Sequence, residues 1–411
     1  MAHRRLRWLS AGLLTSGCAS LVGLTSMLNA PFAFGDDDTA LIMGFAGTPD
    51  PSESYVNEVM SLFIPATPNF AGQPVFPGYN PVVQVTTEDD NYYQGVTQGA
   101  AQLDQGITQQ LADGNNVVVF GYSESSAVAT QEMINLDALP ADQQPNPANL
   151  SFVFAEDLNN PNGGIDTRFP LTDLPATPAD SPYPTDIYTV EYSGVADFPN
   201  YPTDPFALAN AVAGYVDLHP FLLPGWPTSF DTSALADAVQ EPTSSDYAGA
   251  TEYFLIPTQD LPLLEPLRET PLIGPAMADL IQPDLRVLVD LGYDRADPSD
   301  VATAAQLTLP SIDWTTVFQN LELGAQQGWI AAEVDLGLLP QSDLPDIYPY
   351  VPDVSGLMSD PGMTGLSAAA SAADVPTLSA LFGDLTGNLD LSTVLSGLTT
   401  LFTNPLDLLS L

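Results

Sequence analysis

An uninterrupted apolar strand that runs through a tight turn straight into a helix leaves few folds open. Residues 117–120 read Val-Val-Val-Phe, then Gly121-Tyr-Ser-Glu-Ser125, with a helical stretch expected from about Ser125 to Leu136. A strand that is apolar on both faces must be buried on both, which requires layers above and below it. The same signature recurs in Thr39–Met43, Pro81–Val85, Ser151–Phe154, Ile187–Val190 and Glu252–Ile256. Between these runs the period changes. Ser52 can cap a helix presenting Tyr55, Val56, Val59, Met60 and Phe63, and Val96, Ala100, Leu103, Ile107 and Leu111 share one helix face before Gly114 ends it. Apolar strands alternating with helices predict an α/β fold: a mostly parallel sheet with helices on both faces, of the α/β-hydrolase type.

The strand–turn–helix also carries chemistry. A nucleophile held on such an elbow needs small residues two before and two after it, because the strand and helix backbones nearly touch there. Gly121 and Ser125 occupy those places around Ser123. A serine hydroxyl is a weak nucleophile and needs a base, itself oriented by an acid. The chain has only two histidines. His3 sits in an apolar leader, so His219 is the candidate base. For the acid, a carboxylate just past a strand end is wanted. Asp197, beyond the Ile187–Glu191 run, is the preferred candidate, with Asp157 and Asp186 as alternatives and Asp217 too near His219 in sequence. The backbone N–H of Glu124, at the helix N-terminus, and one from the loop Gly44-Phe-Ala-Gly47-Thr48 after the first strand are the expected oxyanion donors. A Ser-acid-His mechanism calls for no cofactor and no metal. Asp38-Thr39-Ala40 and Asp231-Thr232-Ser233 echo aspartic-protease motifs but lack the all-β surroundings. No twelve-residue calcium loop is present.

Charge narrows the partners. The chain has 51 acidic residues against seven basic ones, and three of the seven lie at Arg4, Arg5 and Arg7. A body this anionic repels phosphates, so a nucleic-acid partner is not expected. Cys18 is the only cysteine, which rules out an intramolecular disulfide and a cysteine-based site. Arg4, Arg5 and Arg7, the uncharged run from Trp8 to Phe34, and Ala33-Phe34-Gly35 read as an export signal or a signal anchor over 1–35, giving a secreted or envelope-associated protein. Such a leader allows membrane or envelope association. The hydrolase domain is expected over 36–300, with Pro-rich lid loops from about 156 onward. A helical extension follows over 301–355, then a low-complexity tail over 356–411 in which Leu389–Leu411 has weak amphipathic periodicity.

Several segments, in order, resemble the PE-PPE C-terminal domain of mycobacteria and related actinobacteria, a serine α/β-hydrolase related to cutinases. They are Gly121-Tyr-Ser-Glu-Ser125, Pro161-Asn-Gly-Gly164 with Arg168-Phe-Pro170, and Ala196-Asp-Phe-Pro-Asn-Tyr-Pro202. Ala211-Val-Ala-Gly-Tyr215 ahead of His219, and Asp284-Leu-Arg-Val-Leu-Val-Asp-Leu-Gly-Tyr-Asp294, complete the set. The resemblance covers residues 39–300 and continues toward 355. It implies a triad of Ser123, Asp197 and His219, and a fatty acyl ester as substrate. Two departures stand out: Tyr192-Ser-Gly194 where the family often has Tyr-Asp-Gly, and Pro220-Phe221 after the histidine in place of Gly-Asn. A leader in place of a PE or PPE helical module resembles the exported members thought to act on trehalose-based envelope lipids. Hydrolysis and acyl transfer need the same triad. The competing expectations are a polyester esterase and a catalytically inactive lipid-binding protein on the same scaffold.

Overall fold

A computed structural model describes residues 39–45, 51–64, 80–84, 92–169, 174–226 and 228–344. The stretch expected to be an export signal or anchor, 1–35, and the expected tail, 356–411, fall outside the described residues, as do Gly47 and Thr48. The strands are β1 (Thr39–Met43), β2 (Asn80–Gln84), β3 (Val117–Tyr122), β4 (Leu150–Ala155), β5 (Thr185–Val190), β6 (Val239–Gln240) and β7 (Thr251–Ile256). They form one sheet in the order β2-β1-β3-β4-β5-β7-β6. Every pairing is parallel except the two-residue edge strand β6 on β7.

The helices are α1 (Glu53–Leu62), α2 (Tyr92–Ala112), α3 (Glu124–Asp137), α4 (Ile165–Arg168), α5 (Pro205–Asp217), α6 (Glu265–Arg268), α7 (Gly274–Asp290) and α8 (Trp314–Asp335). Successive strand residues point to opposite faces, so the apolar runs feed two cores. Ile42, Val118, Phe120, Val153 and Val190 join Tyr55 and Val59 of α1 and Leu285 and Val289 of α7 on one side. Leu41, Val117, Val119, Phe152 and Phe154 join Leu103 and Ile107 of α2 and Met133 of α3 on the other. Ser52 caps α1 by accepting from the Tyr55 N–H, a contact worth about 1 kcal/mol. No helix among the described residues is long and apolar enough to cross a membrane.

Beyond residue 300, α8 lies directly on α7. Gly328 makes that approach possible: a Cβ there would stand 2.0 Å from the Leu280 carbonyl oxygen. The four arginines past residue 35 all work inside the protein. Arg286 reaches Glu191 and the Thr258 carbonyl, Arg168 the Phe198 and Thr303 carbonyls, and Arg295 Asp197. Arg268 joins Asp260 and Asp279.

So few cations leave many buried acids without one. Burial pushes Glu132 up to about 8, Asp284 up to about 7 and Asp157 up to about 6. A carboxyl whose folded value lies above its unfolded one binds more protons when folded. Its stabilising contribution is whole below the unfolded value and is lost as pH rises through the folded value. The chain should therefore melt several degrees higher near about pH 5 than near about pH 8.5, read by calorimetry at constant ionic strength. A flat profile would show that these carboxyls are ionised in the fold. Asp284→Asn should flatten part of the slope.

Candidate active site

The elbow is built as its sequence requires. Ser123 connects β3 to α3 with φ 57° and ψ −127°, a strained conformation for a residue bearing a side chain. A Cβ at Gly121 would stand 2.8 Å from the Ser125 carbonyl oxygen, which is why that place needs glycine. Ser125 fills the second small-residue place, and its hydroxyl is used. Its Oγ accepts from the Tyr122 N–H at 2.8 Å and donates to the Tyr122 carbonyl at 3.0 Å, pinning helix to strand.

His219 stands in a short 3-10 turn, His219–Leu222, directly after α5, whose N-terminus is capped by Asp204. Its Nε2 lies 2.9 Å from the Ser123 Oγ. The Tyr122 hydroxyl donates to the His219 carbonyl, so the residue beside Ser123 also fixes the histidine backbone. The rings of Tyr122 and Tyr215 lie nearly parallel to the imidazole, at centroid distances of 5.6 and 5.8 Å. Ser123 and His219 are thus brought together from 96 residues apart.

The carboxylate at the other ring nitrogen is not the one expected. Glu156 Oε2 lies 3.0 Å from His219 Nδ1. Its Oε1 accepts from the Val190 N–H at 2.8 Å, and the side chain is wholly buried. The strand register explains the position. Tyr122 of β3 pairs with Ala155 of β4, so the next residues, Ser123 and Glu156, emerge side by side from adjacent parallel strands. Both turn sharply there, each with φ 57°. The sequence criterion of a carboxylate just past a strand end fits Glu156 after Phe152-Val-Phe-Ala155.

Asp197, expected against His219, is held elsewhere. Arg295 grips it with two hydrogen bonds, 2.6 Å to Oδ1 and 2.7 Å to Oδ2, and the Tyr192 N–H donates to Oδ2 at 2.7 Å. The arginine in turn sits 4.4 Å from the Tyr293 ring centroid. Asp197 therefore braces the sharp turn after β5, where Tyr192 and Gly194 both have positive φ. The alternatives are also engaged or remote. Asp157 accepts from the Thr177 hydroxyl and the Asn159 N–H. Asp186 is buried within β5, and burial with Glu252 nearby pushes its carboxyl well up. Asp217 accepts from the Ser229 N–H and hydroxyl. Asp231 of the protease-like motif caps the turn Thr232–Asp237.

Glu124 opens α3, where helix geometry aims first-turn amides and the positive end of the dipole ahead of the axis. Phe45, at the start of the loop that carries Gly47 and Thr48, lies 6.1 Å from the Tyr122 ring, so that loop leaves β1 next to the elbow. No group of three His, Cys, Asp or Glu among the described residues could hold a metal ion. Phe63, Phe221, Phe230 and Tyr188 cluster on the side of the sheet that carries His219. The Pro-rich stretch after β4 is largely buried and tied down: Asn159 donates to the Pro175 carbonyl, and the Thr177 hydroxyl lies 2.7 Å from that of Thr130.

Residues 62–294 match the PE-PPE domain family. The PE family protein PE3 of Mycobacterium tuberculosis (strain ATCC 25618 / H37Rv) is 42% identical over 81% of this chain and 71% of its own length. Esterase PE16 of the same strain is 39% identical over 84% of this chain and 64% of its own. The diacyltrehalose acyltransferase Chp2, also from that strain, is 26% identical over 65% of this chain and 78% of its own. Two PPE family relatives are longer still, the chain spanning 49% of each. Among solved structures, a cutinase-like protein from Cryptococcus sp. aligns with 39% of this chain and 79% of its own, at a TM-score of 0.29 and 17% identity.

Proposed function

The chain belongs to the PE-PPE domain family, and from that premise we propose that it is a serine esterase or acyltransferase that handles fatty acyl esters through an acyl-enzyme. The observation that carries the reading is the continuous chain Ser123 Oγ, His219 Nε2, His219 Nδ1, Glu156 Oε2, with links of 2.9 and 3.0 Å, on a strained elbow. A carboxylate at Nδ1 selects the tautomer with its proton there, leaving Nε2 to accept from the serine. Ser123 then attacks the ester carbonyl, and the negative charge on the former carbonyl oxygen is met by the Glu124 N–H and one from the loop of Gly47 and Thr48. His219 returns the proton to the departing alcohol. A second hydroxyl, of water or of a sugar, repeats the sequence in reverse and frees the acyl group.

The substrates we propose are acyl esters of cell-envelope glycolipids of the trehalose type, met after export through the leader over 1–35. The support is that one relative is named an esterase and another a diacyltrehalose acyltransferase. The test is a fluorophosphonate probe on the purified protein. Ser123 should be labelled, as located by peptide mass spectrometry, and prior treatment with an acyl ester should slow the labelling. Absence of label on folded protein would refute the reading. With a labelled enzyme in hand, products formed from a radiolabelled diacyltrehalose, with and without added glycolipid acceptor, separate hydrolysis from transfer.

A further inference from the structure

The turn that carries His219 is a poor support for a base. The last bond of α5 runs from the Leu218 N–H to the Gly214 carbonyl, and the chain then enters the short His219–Leu222 turn. Pro220 has no N–H to donate and sits at φ −81° and ψ 21°, outside helical geometry, so α5 does not extend through it. An imidazole on so short a turn needs an anchor outside the turn to stay in register with a distant serine. One side chain stands in that place. Tyr122, the last residue of β3, donates its hydroxyl to the carbonyl of His219, 97 residues further along the chain.

Tyr122 is itself firmly held. Its N–H and its carbonyl both bond to the Ser125 hydroxyl. Its ring is buried, with Phe45 edge-on at 6.1 Å, Phe221 edge-on at 5.9 Å and Tyr55 tilted at 6.4 Å. The His219 imidazole lies against it at 5.6 Å and 23° from parallel. Rings from the end of β1, from α1 and from the turn itself thus restrict where the phenol can go. Phe221 belongs to the Pro220-Phe221 pair that follows the histidine, so the same two residues that end the helix also pack the anchor.

We propose that Tyr122 is a positioning residue of the catalytic site, its hydroxyl holding the His219 turn so that Nε2 stays on Ser123 and Nδ1 on Glu156. This rests on the triad reading above, and Tyr122 acts through the imidazole rather than on the substrate. The two contacts it serves are 2.9 and 3.0 Å long, and a general base works only within hydrogen-bond reach of the proton it takes. A misplacement of about 1 Å costs about 10²-fold in rate. Ser123 and His219 come from different elements, and the residue that precedes Ser123 is the one that reaches the His219 backbone. One side chain therefore sets elbow and base in register.

The test is Tyr122→Phe, which removes the hydroxyl and keeps the ring. On p-nitrophenyl butyrate, well below melting and per folded molecule, kcat should fall about 10- to 100-fold while KM changes by less than about twofold. In a His219→Ala background, read on the residual hydrolysis, the same substitution should have no further effect, because nothing is left to position. Should Tyr122→Phe melt below the assay temperature, Phe221→Leu is the second variant. It removes a ring packed on the phenol, keeps the hydroxyl, and should lower kcat about threefold, again only where His219 is present. A parent-like kcat in the folded variant would overturn the proposal. So would an equal fractional loss in the His219→Ala background, which would place the effect in the elbow alone. A raised KM with kcat unchanged would also overturn it, making Tyr122 a substrate contact. A parent protein whose Ser123 a fluorophosphonate leaves unlabelled refutes the triad reading itself, before either variant is made.

Discussion

Ser123→Ala should reduce kcat on p-nitrophenyl acyl esters by about 10³-fold or more, with a melting temperature within a degree or two of the parent. The two halves of that expectation have separate causes. The serine hydroxyl forms a hydrogen bond to His219 Nε2, and the side chain is only partly buried, so its removal opens no core cavity. The backbone strain at φ 57° is the same for alanine and stays in place because β3 and α3 impose it. Ser125→Ala makes the contrast. Its hydroxyl joins strand to helix through both Tyr122 backbone groups. That variant should lose stability, by about 1–3 kcal/mol for two backbone groups left unpaired in the interior, and lose activity only in proportion to the displaced elbow. Activity of Ser123→Ala near the parent value, in a preparation freed of contaminating esterase, would remove the serine from the chemistry.

Local features were legible in the sequence because their causes are local. The period of apolar residues marks β1, β3, β4, β5 and β7 and the buried faces of α1 and α2, and the Gly121–Ser125 spacing marks the elbow. What the sequence hid depends on which strands are neighbours. The order β2-β1-β3-β4-β5-β7-β6 follows from no single segment, and β6 is two residues with no pattern to find. Glu156 becomes visible as a partner for His219 only once the register of β3 on β4 places it beside Ser123. Asp197 looked suitable for the opposite reason. It stands in a recognisable motif, whereas the arginine that occupies it lies 98 residues further along the chain. A carboxylate can be read from sequence, but whether a cation has already claimed it cannot.

Glu156→Gln and Asp197→Asn should consequently fail in different ways. In Glu156→Gln the side-chain oxygen can keep the Val190 N–H bond, so the fold should survive. The atom facing His219 Nδ1 would become either an amide donor, forcing the wrong tautomer, or a neutral acceptor too weak to stabilise the imidazolium that forms in the transition state. A kcat loss of about 10²–10⁴ with little change in KM is expected. Asp197→Asn leaves a nearly buried Arg295 guanidinium facing an amide where it had two charge-assisted bonds. Breaking one partner of such a pair costs about 3–5 kcal/mol, so the melting temperature should fall by many degrees, while turnover per folded molecule at a temperature well below melting should change far less. Some loss is expected, because Asp197 steadies the turn at Tyr192, two residues beyond the Val190 N–H that holds Glu156. The deciding comparison is kcat, normalised to active sites titrated with a fluorophosphonate, set beside the melting temperature for both variants. A crippled but stable Asp197→Asn together with an active Glu156→Gln would restore Asp197 as the acid and make the Glu156–His219 contact a structural one.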